Sequence, residues 1–359
     1  MRVFDGMAPD DHEQVLFSRD RASGLRCIVA IHSTRLGPAL GGTRFHPYRS
    51  EDEALADVLR LARMMTYKAA VSGLDLGGGK AVILGDPATL RSEALLRAYG
   101  RVVDSLGGRY ITAPDVGTTQ QDMETIRRQT ESVTGVSQAL GGSGDTSAAT
   151  AHGLAEAMKA VARHCWGDVS LKGRHVAVAG VGKVGMHLAR RLVTLGARVT
   201  VADVRPEAVA VAVGELGTEA VPADAVHRTP CDIYSPCALG GSLHPGTIPE
   251  LRCAAVVGGA NNQLADAASA PMLADAGVVY APDYVVNAGG LINVAEELSP
   301  SGYQQARAYG QIGRIFDTTA SVLATAEAEG TTTAEAADRV AERRIEEVGS
   351  LPRIRTFHS

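Results

Sequence analysis

A chain of 359 residues is long enough to bury two separate cores. With 45% hydrophobic and 21% charged residues and a net charge of −5, it has an ordinary globular composition and lacks the basic excess of a protein that binds nucleic acid or an anionic membrane. No apolar run approaches the roughly 20 residues that span a bilayer, and Met1–Asp5 lacks a signal-peptide core. The five cysteines (Cys27, Cys165, Cys231, Cys237, Cys253) are odd in number and scattered, which reads as buried, reduced thiols in a cytoplasmic protein.

In chain order, residues 13–18 and 25–32 read as two strands around a turn at 21–24. The glycine- and proline-rich stretch 36–44 reads as a loop shaped for close approach. Ser50 followed by Glu53 predicts an N-cap with a capping-box acid, opening a helix that runs to about Ser72. Gly77-Gly78-Gly79-Lys80 reads as a glycine-rich segment leading into the strand 81–84. A helix over 92–106, a strand from Tyr110 into the loop Pro114–Thr118, and a helix over 119–130 follow. Residues 133–145 carry glycine but no periodicity and read as a domain junction, and 146–162 as a helix leading out of it.

The region from His175 to Asp203 has the strongest local pattern. An apolar strand, Gly180-Val181-Gly182-Lys183-Val184-Gly185, an amphipathic helix, a second apolar strand and a terminal acid form a dinucleotide-binding βαβ unit. The glycines serve the tight turn, the approach of a pyrophosphate and close helix–strand packing, and the helix N-terminus favours phosphate. Asp203 lies where a carboxylate accepts from ribose hydroxyls, which favours NAD, while Arg205 two residues on keeps NADP open. A glycine-rich turn without a ligand is the alternative. Candidate strands at 233–235, 255–257 and 278–280 end in loops carrying Cys237 and Ala238, Gly259–Asn262, and Asn287–Gly290, placed beside the cofactor by the rule for open α/β sheets. Residues 303–329 read as one long helix, 333–349 as another with Ala336, Val340 and Ile345 on its apolar face, and 351–359 as a tail.

Chemistry-bearing residues precede the βαβ unit. Lys68 and Lys80 both lie in apolar surroundings rather than on a charged face. The triglycine beside Lys80 does not fit a P-loop, which would need glycine at Leu74 and a hydroxyl at Ala81. Instead it leaves room for a small substrate. A partly desolvated lysine near another cation can serve as a base, and a charged one can hold a carboxylate; a solvated surface charge is the plain alternative for either. Asp115, Asn262 and Asn287 fit turn chemistry as well as ligand binding. The histidines have no metal-ligand spacing, and no metal site is expected.

Taken together, Leu36–Ala39 with Gly41–Arg44, Met65–Lys68, Gly77–Lys80, Thr112–Thr118, Gly259–Asn262 and Tyr280–Gly290 resemble the leucine, valine and phenylalanine dehydrogenases of the glutamate dehydrogenase superfamily, over about residues 12 to 349. The resemblance implies an α/β fold of two domains separated by a cleft: a substrate and oligomerisation domain over 1–135 and a Rossmann-type NAD domain over 146–330, with a helix at 331–350 packing back near the first. It implies reversible NAD-dependent deamination of an L-amino acid to the 2-oxo acid and ammonia, by a homo-oligomer whose N-terminal strands are candidate intersubunit edges. Lys68 would hold the substrate carboxylate beside Gly41 and Gly42, Lys80 would activate water, and Asp115 would exchange protons with the amine. Asn262 and Asn287 would orient substrate groups. Thr150 would meet the nicotinamide, and Ala260, Asn261, Cys237 and Ala238 would line the cofactor.

Leu40, Ala113, Leu291 and Val294 would line the side-chain pocket. All four are apolar, which disfavours glutamate, because a charged side chain would be buried unpaired. Ala113 points to leucine, isoleucine or valine; Leu291 also occurs in phenylalanine enzymes, and one methylene is worth only about 1–3 kcal/mol. Phenylalanine is the alternative substrate, and a non-catalytic nucleotide-binding regulator the alternative of another class.

Overall fold

The computed structural model describes residues 2–350; the predicted tail at 351–359 lies outside them. The chain packs as two compact units. One comprises the chain up to Gly144, Glu297–Gly302 and the last helix from Val340; the other comprises Asp145–Glu296 and Tyr303–Arg339.

The first unit is built on a five-stranded sheet, β1 (Gln14–Asp20), β2 (Leu25–Ser33), β3 (Ala39–His46), β4 (Gly77–Leu84) and β5 (Tyr110–Pro114), in the order β1-β2-β4-β3-β5. β2 pairs antiparallel with β1 and β4, while β3 runs parallel to β4 and β5. Alternation along β2 feeds both faces: Cys27, Val29 and Ile31 pack with Tyr99, Tyr110 and Phe45, and Ile28 and Ala30 pack with Ala54, Leu55 and Val58 of the helix Glu51–Val71.

The stretch 36–44, read as a loop, contains a strand, and the strand read at 81–84 already begins at Gly77. Gly41 and Gly42 lie inside β3 and Gly77–Gly79 inside β4, with register running from Ala39↔Gly77 to His46↔Leu84. The glycines are there because the backbones leave no room for side chains. A Cβ on Gly41 would sit 1.7 Å from the Gly79 carbonyl oxygen, and one on Gly78 would sit 2.0 Å from the Thr66 nitrogen. Glycine weakens a strand locally, but here the ladder and the approaching helix override that preference.

Ser50 caps the helix Glu51–Val71, its hydroxyl accepting from the Glu53 N–H at 3.1 Å. The reciprocal capping-box bond is absent: Glu53 accepts instead from the Arg49 N–H at 2.8 Å. A complete capping box stands at Thr119 and Asp122, opening Gln120–Arg127. The aperiodic 133–145 segment is tied down by Glu297, whose carboxylate accepts from the backbone of Gly135 at 3.0 Å and Ser143 at 2.9 Å.

The second unit carries a six-stranded, all-parallel sheet: β6 (His175–Ala179), β7 (Arg198–Ala202), β8 (Glu219–Ala220), β9 (Ile233–Pro236), β10 (Ala255–Val256) and β11 (Val279–Tyr280). Their order, β11-β10-β9-β6-β7-β8, is that of a doubly wound dinucleotide-binding sheet, with the switch point between β6 and β9.

The predicted single helix over 303–329 is two helices, Gln305–Gly313 and Ile315–Glu329, broken at Arg314 beside Gly313. The last helix spans Thr333–Gly349, and its buried residues are Ala336, Ala337 and Ala341, with Val340 and Ile345 half-buried. Its C-terminal half belongs to the first unit, where the Tyr67 hydroxyl donates to Glu342 at 2.8 Å and Arg344 pairs with Asp75 at 2.7 Å. All five cysteines are free, but only Cys27 is buried; the other four are half-buried.

Candidate active site

In the first unit the glycine strands bring the chemistry together. Lys80, on β4 and 6% exposed, places Nζ 2.8 Å from Oδ2 of Asp115, just beyond the end of β5. Gly42 lies against both: a Cβ there would come 2.8 Å from the Asp115 Cβ and 3.4 Å from Lys80 Nζ. Leu40 is buried on β3 opposite Ile111, and Gly42 pairs with the buried Ala113. Lys68 is half-buried in the last turn of its helix, which the bare Gly78 lets approach β4 at Thr66.

Burial pushes the Asp115 carboxyl up, but the charges of Lys80 and Arg44 outweigh it and hold the group below the usual carboxylate range. Asp115 is therefore an anion at neutral pH. Sequence reasoning passed over Arg44, whose Nε lies 3.2 Å from the same Asp115 oxygen. Its place beside Gly41–Thr43 was a signal, but its partner lies 71 positions away. Also unforeseen is a buried hydroxyl cluster behind the site, in which the Thr43 hydroxyl meets Thr112 Oγ1 at 2.6 Å and the Tyr110 hydroxyl donates to the Gly41 carbonyl at 2.7 Å.

In the second unit the loops after β6, β9 and β10 converge. Gly180 has φ +100°, and a Cβ on it would strike that of Ala238 at 2.7 Å. A Cβ on Gly185 would fall 1.8 Å from the Gly180 carbonyl oxygen, so this glycine serves helix–strand packing. Gly182 differs, because its missing Cβ faces open space with the nearest atom, Arg205 Nη2, 3.8 Å away. It precedes the helix Lys183–Thr194, whose first N–H groups have no side-chain cap. Lys183 is paired with Asp145 at 2.7 Å. Gly259 packs against Val184 and Cys237, and the Ala260 N–H donates to the Pro236 carbonyl at 2.9 Å.

Asp203 directly follows β7 with its side chain 8% exposed, accepting from the Val181 N–H at 2.9 Å and the Arg205 N–H at 2.9 Å. The Arg205 guanidinium folds back onto it at 3.2 Å. Burial raises the Asp203 proton affinity, but these hydrogen bonds prevail and keep it below the usual range, so it carries its charge at the turn.

Asn287 turns its amide inward, donating to Asn261 Oδ1 at 2.8 Å and to the Gly259 carbonyl at 3.3 Å. Asn262 is half-buried at φ +52°, a left-handed conformation that asparagine tolerates. Thr150 donates to the Thr146 carbonyl at 3.1 Å and lies beside Gly290. Leu291 and Val294 are buried on the helix Gly289–Ala295. Among the described residues no group of histidines, cysteines and acids could hold a metal, and no helix is long and apolar enough to cross a membrane.

A glycine turn at the switch point of a doubly wound sheet in one unit, and a lysine buried against a carboxylate in the other, define a dinucleotide-dependent oxidoreductase. Residues 12–132 match the Glu/Leu/Phe/Val dehydrogenase dimerisation domain, and 141–207 with 205–349 match the Glutamate/Leucine/Phenylalanine/Valine dehydrogenase domain. The chain belongs to this family of amino acid dehydrogenases. It is 51% identical to a leucine dehydrogenase of Geobacillus stearothermophilus, covering 96% of this chain and 94% of that protein. It is 53% identical to a valine dehydrogenase of Streptomyces virginiae, covering 93% and 94%. The structure of L-tryptophan dehydrogenase from Nostoc punctiforme superposes with a TM-score of 0.86 at 41% identity, covering 96% of this chain and 99% of that one.

Proposed function

We propose that this protein catalyses the reversible, NAD-dependent oxidative deamination of a branched-chain L-amino acid (leucine, valine or isoleucine) to the 2-oxo acid and ammonia. The observation that carries the reading is the Lys80–Asp115 pair, 2.8 Å apart, which sets a buried amine against a half-buried carboxylate beside close-packed strand glycines. Lys68 holds the substrate carboxylate. Lys80, having first released its own proton to solvent, takes one from the water that adds to the imine carbon. Asp115, an anion at neutral pH, accepts a proton from the substrate amine and returns one to the departing nitrogen. Gly182 and Asp203 would hold NAD, which would supply the hydride acceptor for the substrate Cα–H.

The second unit's residues fit a dinucleotide. The open space at Gly182 admits a pyrophosphate against the uncapped helix N-terminus, and the Asp203 carboxylate suits ribose hydroxyls and repels a 2′-phosphate. Thr150, Ala260 and Asn261 are assigned to the cofactor, and Asn262 and Asn287 to substrate orientation. Leu40 and Ala113 of the first unit are apolar and buried, which supports an uncharged side chain. The free cysteines support a reducing, cytoplasmic setting. A homo-oligomer is supported by β1 at the sheet edge, where Phe17 is 48% exposed.

The assay mixes the purified protein with NAD and L-leucine, L-valine or L-phenylalanine at mildly alkaline pH and follows NADH. Turnover per unit concentration is highest with leucine or valine. No NADH from any of them would sink the dehydrogenase reading, and a preference for phenylalanine would transfer the assignment to that substrate.

A second expected outcome concerns the cofactor. Asp203→Asn keeps the shape of the turn but loses the charge, so the KM for NAD rises roughly 10- to 100-fold. The disadvantage of NADP shrinks at the same time. Equal KM values in mutant and wild type would remove Asp203 from cofactor recognition.

A further inference from the structure

We propose that Arg44 is a positioning residue for the Lys80–Asp115 pair: its guanidinium, gripped by Asp57 from behind, fixes the Asp115 carboxylate against Lys80 so that it can exchange protons with the substrate amine. This rests on the reading of Lys80 and Asp115 given above.

The geometry is a chain of charges across three elements. Lys80 Nζ at 2.8 Å and Arg44 Nε at 3.2 Å both approach Oδ2 of Asp115, so the two cations converge on one carboxylate oxygen. The other edge of the guanidinium donates from Nη1 to Asp57 Oδ2 at 2.8 Å. That oxygen also accepts from the Tyr48 hydroxyl at 2.7 Å, and Asp57 Oδ1 pairs with Arg60 at 2.7 Å. The guanidinium is therefore stretched between two carboxylates, one from the helix Glu51–Val71 and one beyond β5. A planar fork does this with little loss of freedom; a lysine ammonium cannot reproduce it.

The charged and titratable groups facing the carboxylate are Lys80 from β4, Arg44 from β3 and, more distantly, the phenol of Tyr110 from β5. Asp57, Arg60 and Tyr48 face the guanidinium from behind. Side-chain exposures of 22% for Arg44, 16% for Asp57 and 20% for Asp115 mean that solvent screens these charges only partly.

A merely structural ion pair would change stability and leave the pH dependence of catalysis alone. A positioning role predicts otherwise. Withdrawing a fixed positive charge from beside the Asp115 carboxylate raises that carboxylate's affinity for protons. In Arg44→Gln the acid limb of the kcat/KM profile for L-leucine moves to higher pH by roughly 1 unit. At a fixed pH, kcat/KM falls roughly 10- to 100-fold. Arg44→Lys restores the charge and returns the limb to its wild-type position, while kcat/KM stays below wild type because the two-carboxylate grip is lost.

A folded Arg44→Gln variant whose acid limb has not moved overturns the proposal, as does an Arg44→Lys profile that matches Arg44→Gln. If the neutral variant does not fold, Arg44→Lys decides alone: kcat/KM reduced about 10-fold or more with the limb in place supports the role, and an unchanged kcat/KM overturns it. Lys80→Ala is run alongside. Full turnover in Lys80→Ala would bring down the reading of the pair itself, and Arg44's role with it. An inactive Lys80→Ala with an unmoved Arg44→Gln profile would bring down only the role of Arg44.

Discussion

Replacing Lys80 with alanine lowers turnover of L-leucine by roughly 10²- to 10⁴-fold, the contribution of a positioned proton acceptor, and leaves NAD binding near normal. The split follows from where the residue sits. Lys80 Nζ is bonded to Asp115 within the first unit, and Asp203 and the glycine turn belong to the second. In the variant Asp115 keeps Arg44 as its cation, so the pocket loses its base without leaving a bare buried charge. The destabilisation is accordingly about 1–3 kcal/mol, not collapse. Steady-state NADH formation measures the first effect, a fluorescence titration with NADH the second, and a thermal melt the third. Wild-type turnover in a folded Lys80→Ala protein would remove this residue from the mechanism.

Gly41→Ala acts on the scaffold beneath the same site. The added Cβ would lie 1.7 Å from the Gly79 carbonyl oxygen, and both atoms belong to adjacent ladders. No flexible side chain can give way. Either β3 and β4 part and lose hydrogen bonds, or the strands slide and carry Lys80 away from Asp115. A cost of about 3 kcal/mol or more is expected, with a fall in melting temperature of roughly 6–12 °C or failure to yield folded protein. Gly310→Ala is the control: it is an exposed helical glycine with nothing within 4 Å of its missing Cβ, so it leaves stability level or slightly raised. An equal response to the two substitutions would show that the close approach at Gly41 does not limit stability.

The helix at 51–71, the strands β1 and β2, and the βαβ unit at 175–203 were legible because each signal is local. Ser50 and Thr119 stand before apolar runs of helical period, and Gly180, Gly182 and Gly185 stand between a strand and a helix. The same local reasoning reads Gly41–Gly42 as part of a loop, starts the next strand only after Gly77–Gly79 and runs one helix through Arg314. Glycine carries no strand preference of its own. It stands in β3 and β4 because of what lies opposite, and that is not written near it in the chain.

The sequence by itself determined the composition of the site: two lysines in apolar surroundings, an acid after a strand, a glycine turn and an acid at the end of the next strand. These are covalent facts with periods and spacings a few residues long. Only the tertiary structure decided that Lys80 and Asp115 share a 2.8 Å bond, that Arg205 folds onto Asp203, and that Arg44 bridges Asp115 and Asp57. Each of those pairings depends on which strands neighbour one another and how closely their backbones approach. Burial of the whole sheet sets both, and no segment of the chain carries that information alone.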